Sequence, residues 1–559
     1  MSPLIAIHLA IVIFLTVAVS SLVLRRYAAT VRNSMAAAGD VIAPLDPPHP
    51  GAPSEQPRLL DVNLATPASP AARAALQRER ATRYWVAVAY LLPSAICGLL
   101  LAATTLWTSG IELSISRLIG QAGGTMPAAV PMIAISVAWP FWRAVLRGLA
   151  LVFAIAVASA AIPMARRLLA NLEFDVTYGY NALYSLQFAA FSLGLPLSVA
   201  FATGIRKIRG VAPVVLALMA VLGLVPLFGS RALRFLETPD RRGMLLDLAP
   251  EAVMYLTFFL LAPAAGWVAW KALKTLSRCY EAKWFSDSQL IANMWWLIFV
   301  AVLMAGQSVT GAATWVLLLA GTISFLCFPV LSLALFKYRP RGGIDESHGT
   351  VLLLRLFGHT SRSERFFDRV INRWRLHGPV IVIGAPDLVA RTLDPSDFLR
   401  LVTGRLSDSF ITSRRQLDER LATVDLLPDP DGRYRVTEFW CGNNSWQATV
   451  TALMSRCDAV VMDVRGLTAA RQGAIFELRQ LAERLPAGRV VLVVDRRTDR
   501  SVIEHNVAAG SGTLRIVHAE RNSPAALRSV FETLLDAAGH RRSGMAVDAD
   551  SSQSNSGNE

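Results

Sequence analysis

Late in the chain, residues 457–485 read CDAVVMDVRGLTAARQGAIFELRQLAERL. An acid, Asp463, stands at the end of an apolar run. Arg465 and Gly466 follow in a polar turn, and Glu477 comes near the middle of an amphipathic stretch. Each residue type has a chemistry. A fixed carboxylate at Glu477 could hydrogen-bond a sugar hydroxyl or stabilise positive charge developing on a sugar ring; on an ordinary amphipathic helix it would simply face solvent. Asp463 could bind a hydroxyl or cap the next helix. Gly466 and Gly473 could admit a ligand close to the backbone or merely permit a turn. Further upstream, Arg355 closes the run VLLLR. Its planar guanidinium suits bidentate contact with phosphate, or a salt bridge at the sheet edge. Asp387, after IGAP, reads as a turn former.

These residues need a frame, and the pattern from residue 350 onward provides one. Short apolar runs (350–357, 378–384, 433–440, 458–464, 489–495 and 513–519) alternate with amphipathic stretches (361–377, 394–423, 444–456, 468–485, from about 498, and 523–538). Strand–helix alternation predicts a parallel sheet covered on both faces, doubly wound and flavodoxin-like. Such sheets bind ligands beyond the carboxyl ends of their strands. Here those ends are Arg355 to His359, Gly384 to Asp387, Asp463 to Thr468, and Asp495 to Arg497. The stretch 394–423 is longer than a minimal strand–helix unit needs.

The stretches VLLLRLFGHTSRSERFFDRVINRWRLHGPVIVIGAPD and SWQATVTALMSRCDAVVMDVRGLTAARQGAIFELRQL together resemble the TIR-like cytosolic domains carried by bacterial multi-span membrane proteins. The resemblance covers about residues 350–520. It implies that Arg355 and Phe357 occupy the first-strand motif and that Trp446 opens the matching third-region helix. It also implies that Glu477 takes the place of the glutamate that is catalytic in NAD-cleaving members. NAD is thereby implied as substrate or ligand. Where the family carries a Trp-Cys pair shortly before that glutamate, this chain has QGAIFE.

The rest of the chain is of another kind. Of its 559 residues, 53% are hydrophobic and only 17% charged, and before about residue 337 the apolar residues lie in long blocks. Segments near 3–24, 84–106, 126–142, 146–164, 183–204, 211–229, 252–270, 290–309 and 314–336 approach the roughly 20 residues needed to cross a bilayer, giving about eight or nine crossings. The pair 126–142 and 146–164 is interrupted by Arg143 and Arg147. The expected organisation is an anchor at 1–24, a Pro/Arg-rich cytoplasmic linker at 25–82, a multi-span α-helical domain at 83–337, an α/β domain at 345–540 and a disordered tail at 541–559. The linker contains APLDPPHPGAPSEQP, which cannot pack a core. Basic loops at 205–210, 271–284 and 337–343 place the α/β domain on the cytoplasmic side of the cell's inner membrane. The net charge of +14 fits the positive-inside bias and contact with anionic headgroups. No basic stripe with interleaved aromatics points to nucleic acid.

No span holds an acid well inside it, as an ion or proton pathway would require. No GxSxG, HExxH or GxxxxGK[ST] occurs. The five cysteines form no CxxC or Cys/His metal spacing and are expected to be free, buried thiols. Two function classes remain. One is a membrane sensor or effector whose TIR-like domain binds, and in the catalytic form hydrolyses, a nucleotide such as NAD. The other is a noncatalytic scaffold acting through self-association of the α/β domain. A transporter with a regulatory domain ranks below both.

Overall fold

A run such as VVLVV is too short to bury itself as a helix, but its β-branched side chains fit a pleated sheet covered on both faces. A computed structural model of the chain describes residues 3–36, 58–62, 70–123, 211, 214–215, 217–218, 250–306, 312–338, 349–355, 361–384, 395–442, 444–507 and 513–555. It places the strand runs in one all-parallel eight-stranded sheet. The strands are β1 (Arg58–Asp61), β2 (Val351–Arg355), β3 (Val380–Gly384), β4 (Phe410–Ile411), β5 (Val436–Cys441), β6 (Ala459–Asp463), β7 (Val490–Val494) and β8 (Thr513–His518). Their order is β1-β8-β7-β6-β2-β3-β5-β4. After β2 the chain passes to β3, then to the edge strand β4, and comes back to β5 between them. It then returns to the other side of β2 with β6, β7 and β8. The strand order therefore reverses between β2 and β6.

The helices are α1 (Pro3–Ala36), α2 (Pro70–Thr108), α3 (Ile115–Gly123), α4 (Pro250–Glu281), α5 (Asp287–Gly306), α6 (Ala312–Lys337), α7 (Ser361–Trp374), α8 (Pro395–Thr403), α9 (Arg414–Ala422), α10 (Trp446–Met454), α11 (Gln472–Arg484), α12 (Arg500–Val507) and α13 (Pro524–Asn555). Side chains alternate across the sheet. Leu352, Val460 and Leu492 meet apolar residues of α9 to α12 on one face. Val351, Leu353, Val461 and Val493 meet Phe366, Val370 and Trp374 of α7, Val530, Phe531 and Leu534 of α13, and Ala75 of α2 on the other. The expected α/β organisation is thus present.

Several boundaries differ from the expectation. The Pro-rich run 43–57 lies outside the described residues. Directly after it, within the stretch expected to be a linker, Arg58–Asp61 forms an edge strand beside β8. The Val62 N–H donates to the Ile516 carbonyl at 2.8 Å, and Asp61 meets His518 at 3.0 Å and Arg500 at 3.1 Å. An edge strand needs only one partner, so a four-residue run suffices. The stretch 394–423 is α8, a 3-10 turn, the two-residue β4 and α9. Residues 541–555, expected to be disordered, continue α13. Residues 271–281, expected as a loop, are the last turns of α4.

The chain divides into two compact units. One comprises 28–82, 340–390 and 405–559, and contains the sheet. The other comprises 1–27, 83–339 and 391–404. In the second unit, α5 lies against α6, with Trp296 stacked on Phe328 at 4.9 Å between centroids. Trp85 donates its indole N–H to the Leu335 carbonyl at 3.0 Å, and Tyr90 packs edge-on against Phe336. The start of the apolar part of α2 therefore sits beside the end of α6. Both helices are long and apolar enough to cross a membrane. Each carries an exposed apolar stripe: Leu92, Ile96 and Leu99 on α2, and Leu319, Ile323, Leu326 and Val330 on α6. Exposed aromatics bracket each stripe, Tyr84 with Trp107 and Trp315 with Tyr338. Each bracket is about 23 residues long, or roughly 34 Å at 1.5 Å per residue. Also in this unit, Tyr27 of α1 donates to Asp397 of α8 at 2.7 Å, both buried. The spans expected at 126–142, 146–164 and 183–204, and most of 211–229, lie outside the described residues.

Candidate functional site

Pairing sets the site. Parallel pairing of β2 with β6 brings Arg355 directly beside Asp463. Both residues end their strands at the point where strand order reverses, which is where parallel sheets of this winding open a crevice. Both are buried.

Asp463, 2% exposed, is held by Arg465, 3% exposed. The guanidinium grips both carboxylate oxygens, from Nε at 2.8 Å and from the second terminal nitrogen at 2.7 Å. The Arg465 backbone N–H adds a third bond at 3.2 Å, closing a tight turn. Arg465 also donates to the Asn522 side chain at 3.0 Å and lies 4.7 Å over the Phe366 ring. Asp463 therefore does not cap α11, whose first helical residue is Gln472. Gly466 has φ +73°, a left-handed conformation that favours glycine. The turn aims its N–H at Asp495, 3.0 Å, and at the Thr498 hydroxyl, 3.2 Å. Thr498 in turn donates to the Val464 carbonyl. The loops after β6 and β7 are thus laced together through their own polar groups.

Glu477 falls on the buried stripe of α11 with Ala474, Leu478 and Leu481. It is 1% exposed, and its Oε2 has no hydrogen-bond partner among the described residues. It is neither exposed on an amphipathic surface nor facing an open cleft. Burial without a compensating charge disfavours the ionised form and pushes its pKa from 4.5 up to about 8. Trp446 is half-buried nearby. Its ring meets Phe476 edge-on at 5.3 Å. A Cβ placed on Gly473 would lie 3.8 Å from its outer ring carbon. That is ordinary van der Waals contact, so the indole does not require a glycine at 473.

At the end of β3, Gly384 faces Trp440 of β5, and a Cβ there would come within 2.4 Å of the indole. Phe357, residues 356–360 and Asp387 lie outside the described residues. Sequence reasoning placed Arg465 and Asp495 at strand ends without their partners, and missed Asn522 and Thr498 as parts of the strand-end framework. The usable signal was an arginine two residues after a strand-end acid, and an acid at the end of the next strand. Among the described residues, no cluster of His, Cys, Asp and Glu could hold a metal. A cavity of about 280 Å³ lies between β4 and α9, bounded by Phe410, Ile411, Gln416, Glu419, Arg420 and Thr423. It belongs to the far edge of the sheet and includes none of the strand-end residues. The five cysteines are free, but Cys279 is half-buried and Cys327 exposed, against the expectation of full burial. Cys441 is buried, and burial pushes its thiol up to about 12.

At Arg355 and Asp463 the arrangement offers a buried guanidinium beside a neutralised acid, with glycines at two strand ends; the carboxyl group of Glu477, protonated near neutral pH, lies apart from them in the core on the α11 face of the sheet. Such a group donates a hydrogen bond; it does not offset a nearby positive charge until it ionises. No family model, curated protein or solved structure matches the chain.

Proposed function

We propose that this chain is a protein of the cell's cytoplasmic membrane. Its helical unit crosses the bilayer, and its α/β unit, flavodoxin-like and of the TIR-like class, faces the cytoplasm and binds a nucleotide such as NAD. The observation that carries the ligand reading is the placement of Arg355 beside Asp463 at the reversal of strand order. A phosphate met there would find a guanidinium, the group best shaped to hold it. The membrane part is supported by the apolar stripes on α2 and α6. The roughly 34 Å between their bracketing aromatics spans a hydrocarbon core with its interfaces.

Binding without cleavage is the form of this proposal that the arrangement supports, because Glu477 is buried in the apolar stripe of α11, which packs on the sheet face opposite the one that Arg355 and Asp463 share with Leu353 and Val461. Cleavage of a glycosyl bond would require the ionised carboxylate. The test uses the full chain in detergent, titrated with NAD and followed for nicotinamide release. Saturable binding that weakens about tenfold or more in Arg355→Gln supports the reading. Wild-type protein that binds no nucleotide overturns it. Equal, negligible release from wild type and Glu477→Gln removes hydrolysis alone. A second reading, a noncatalytic scaffold, is favoured by one observation: Asp463 and the Gly466 N–H already have partners within the fold. It predicts concentration-dependent self-association indifferent to nucleotide.

A further inference from the structure

Helix α4 changes character along its length. Leu260, Leu261, Pro263, Ala264, Trp267, Val268 and Trp270 are exposed in its middle. Beyond them come Lys271, Lys274 and Arg278, also exposed. Positions 267, 270, 271, 274 and 278 recur every three to four residues and so share one face. The Lys271 ammonium stands 5.4 Å from the centroid of the Trp267 ring, and that of Lys274 5.1 Å from Trp270. No acid occurs between Leu260 and Tyr280.

We infer that this half of α4 is a docking face for anionic phospholipid headgroups; the inference rests on the membrane reading above. Charge and layering identify the occupant. Indoles favour the boundary between hydrocarbon and headgroups, with apolar residues on one side and lysines reaching to phosphate on the other. A soluble anion would engage the lysines but leave Trp267 64% exposed. An anionic lipid covers the rings with its glycerol and upper chain while its phosphate meets the ammonium groups.

The experiment takes the full chain and measures energy transfer from tryptophan to dansyl-labelled phosphatidylglycerol or phosphatidylcholine in detergent. A preceding step reconstitutes the chain into phosphatidylcholine vesicles and washes them with alkaline carbonate. Each cation near an anionic surface contributes roughly a fivefold preference, so the wild type should favour phosphatidylglycerol by tenfold or more. The Lys271→Gln/Lys274→Gln/Arg278→Gln variant should fall to parity, while Lys271→Arg/Lys274→Arg keeps the preference. A glutamine variant that retains the full preference overturns the inference. So does displacement of the labelled lipid by polyglutamate at lower concentration than by unlabelled phosphatidylglycerol, which would assign the face to an acidic protein. Loss of wild-type chain in the carbonate wash overturns the membrane reading itself. Retention with equal affinity for both lipids overturns only the docking face.

Discussion

Replacing Glu477 by glutamine keeps the shape of the side chain and removes its titration. In the folded state the carboxyl is raised from 4.5 to about 8 by burial, so the folded protein holds a proton that the unfolded chain releases. The sign follows from linkage: unfolding releases this proton, so stability falls as pH rises. The contribution is most favourable below about pH 4.5, declines through the window up to about 8, and is flat above it. At 1.36 kcal/mol per pH unit, the wild type loses about 3 kcal/mol between pH 5 and pH 8 from this group alone. Glu477→Gln should lose none of that share. The assay is urea unfolding of the full chain in detergent, with proteolytic cleavage within residues 405–507 as readout, at pH 5, 6.5 and 8. The variant should match the wild type within about 1 kcal/mol at pH 5 and exceed it by about 3 kcal/mol or more at pH 8. Parallel profiles for the two proteins would show that Glu477 is solvated or paired, and would refute its unpartnered burial.

The Asp463–Arg465 pair gives a sharper structural test. Arg465→Met should cost about 3–5 kcal/mol by stranding a buried carboxylate, and adding Asp463→Leu should recover most of the loss; an additive double variant in the same unfolding assay would count against the bidentate grip. Gly384→Ala should cost about 1–3 kcal/mol, because the methyl must displace the buried Trp440 ring, with the indole fluorescence shift as a second readout. Tyr27→Phe leaves Asp397 without its phenol donor and should destabilise the helical unit by about 1–3 kcal/mol; hydrogen exchange at 395–403 should rise, and unchanged exchange would contradict the contact.

Much of the sheet was legible because each central strand is a short run of branched apolar residues set off by polar turns. VLLLR, AVVMD and VVLVV admit few other structures. What escaped reading was whatever depends on a partner distant in sequence. RLLD is four residues after a proline-rich run, and nothing local marks it as a strand; β8 makes it one. FI at 410–411 is a strand only because β5 offers an edge. For the site, sequence named Arg355 and Asp463 as strand ends, and pairing made them neighbours. Glu477 was read either as a solvent-facing acid or as a carboxylate at a ligand site, although the helical period already put it in line with Ala474 and Leu481. A carboxylate in an apolar stripe is discounted in sequence reading because its cost is normally prohibitive. Arg465 was placed in its turn but given no partner, because a charged residue in a turn is usually solvated.

The edge strand β1 has a consequence for how the molecule is made. Its ladder partner β8 is synthesised roughly 450 residues later, and at about 5–20 residues per second that is a delay of tens of seconds. Throughout that interval RLLD has no hydrogen-bonding mate, and the face of α2 that carries Ala75 has no sheet to cover. The α/β unit is therefore the last part of the chain able to reach its final form, and a fragment starting at residue 345 would leave one flank of β8 bare. Two strands that pair across roughly 450 residues make the finished sheet a report that everything between them has been translated.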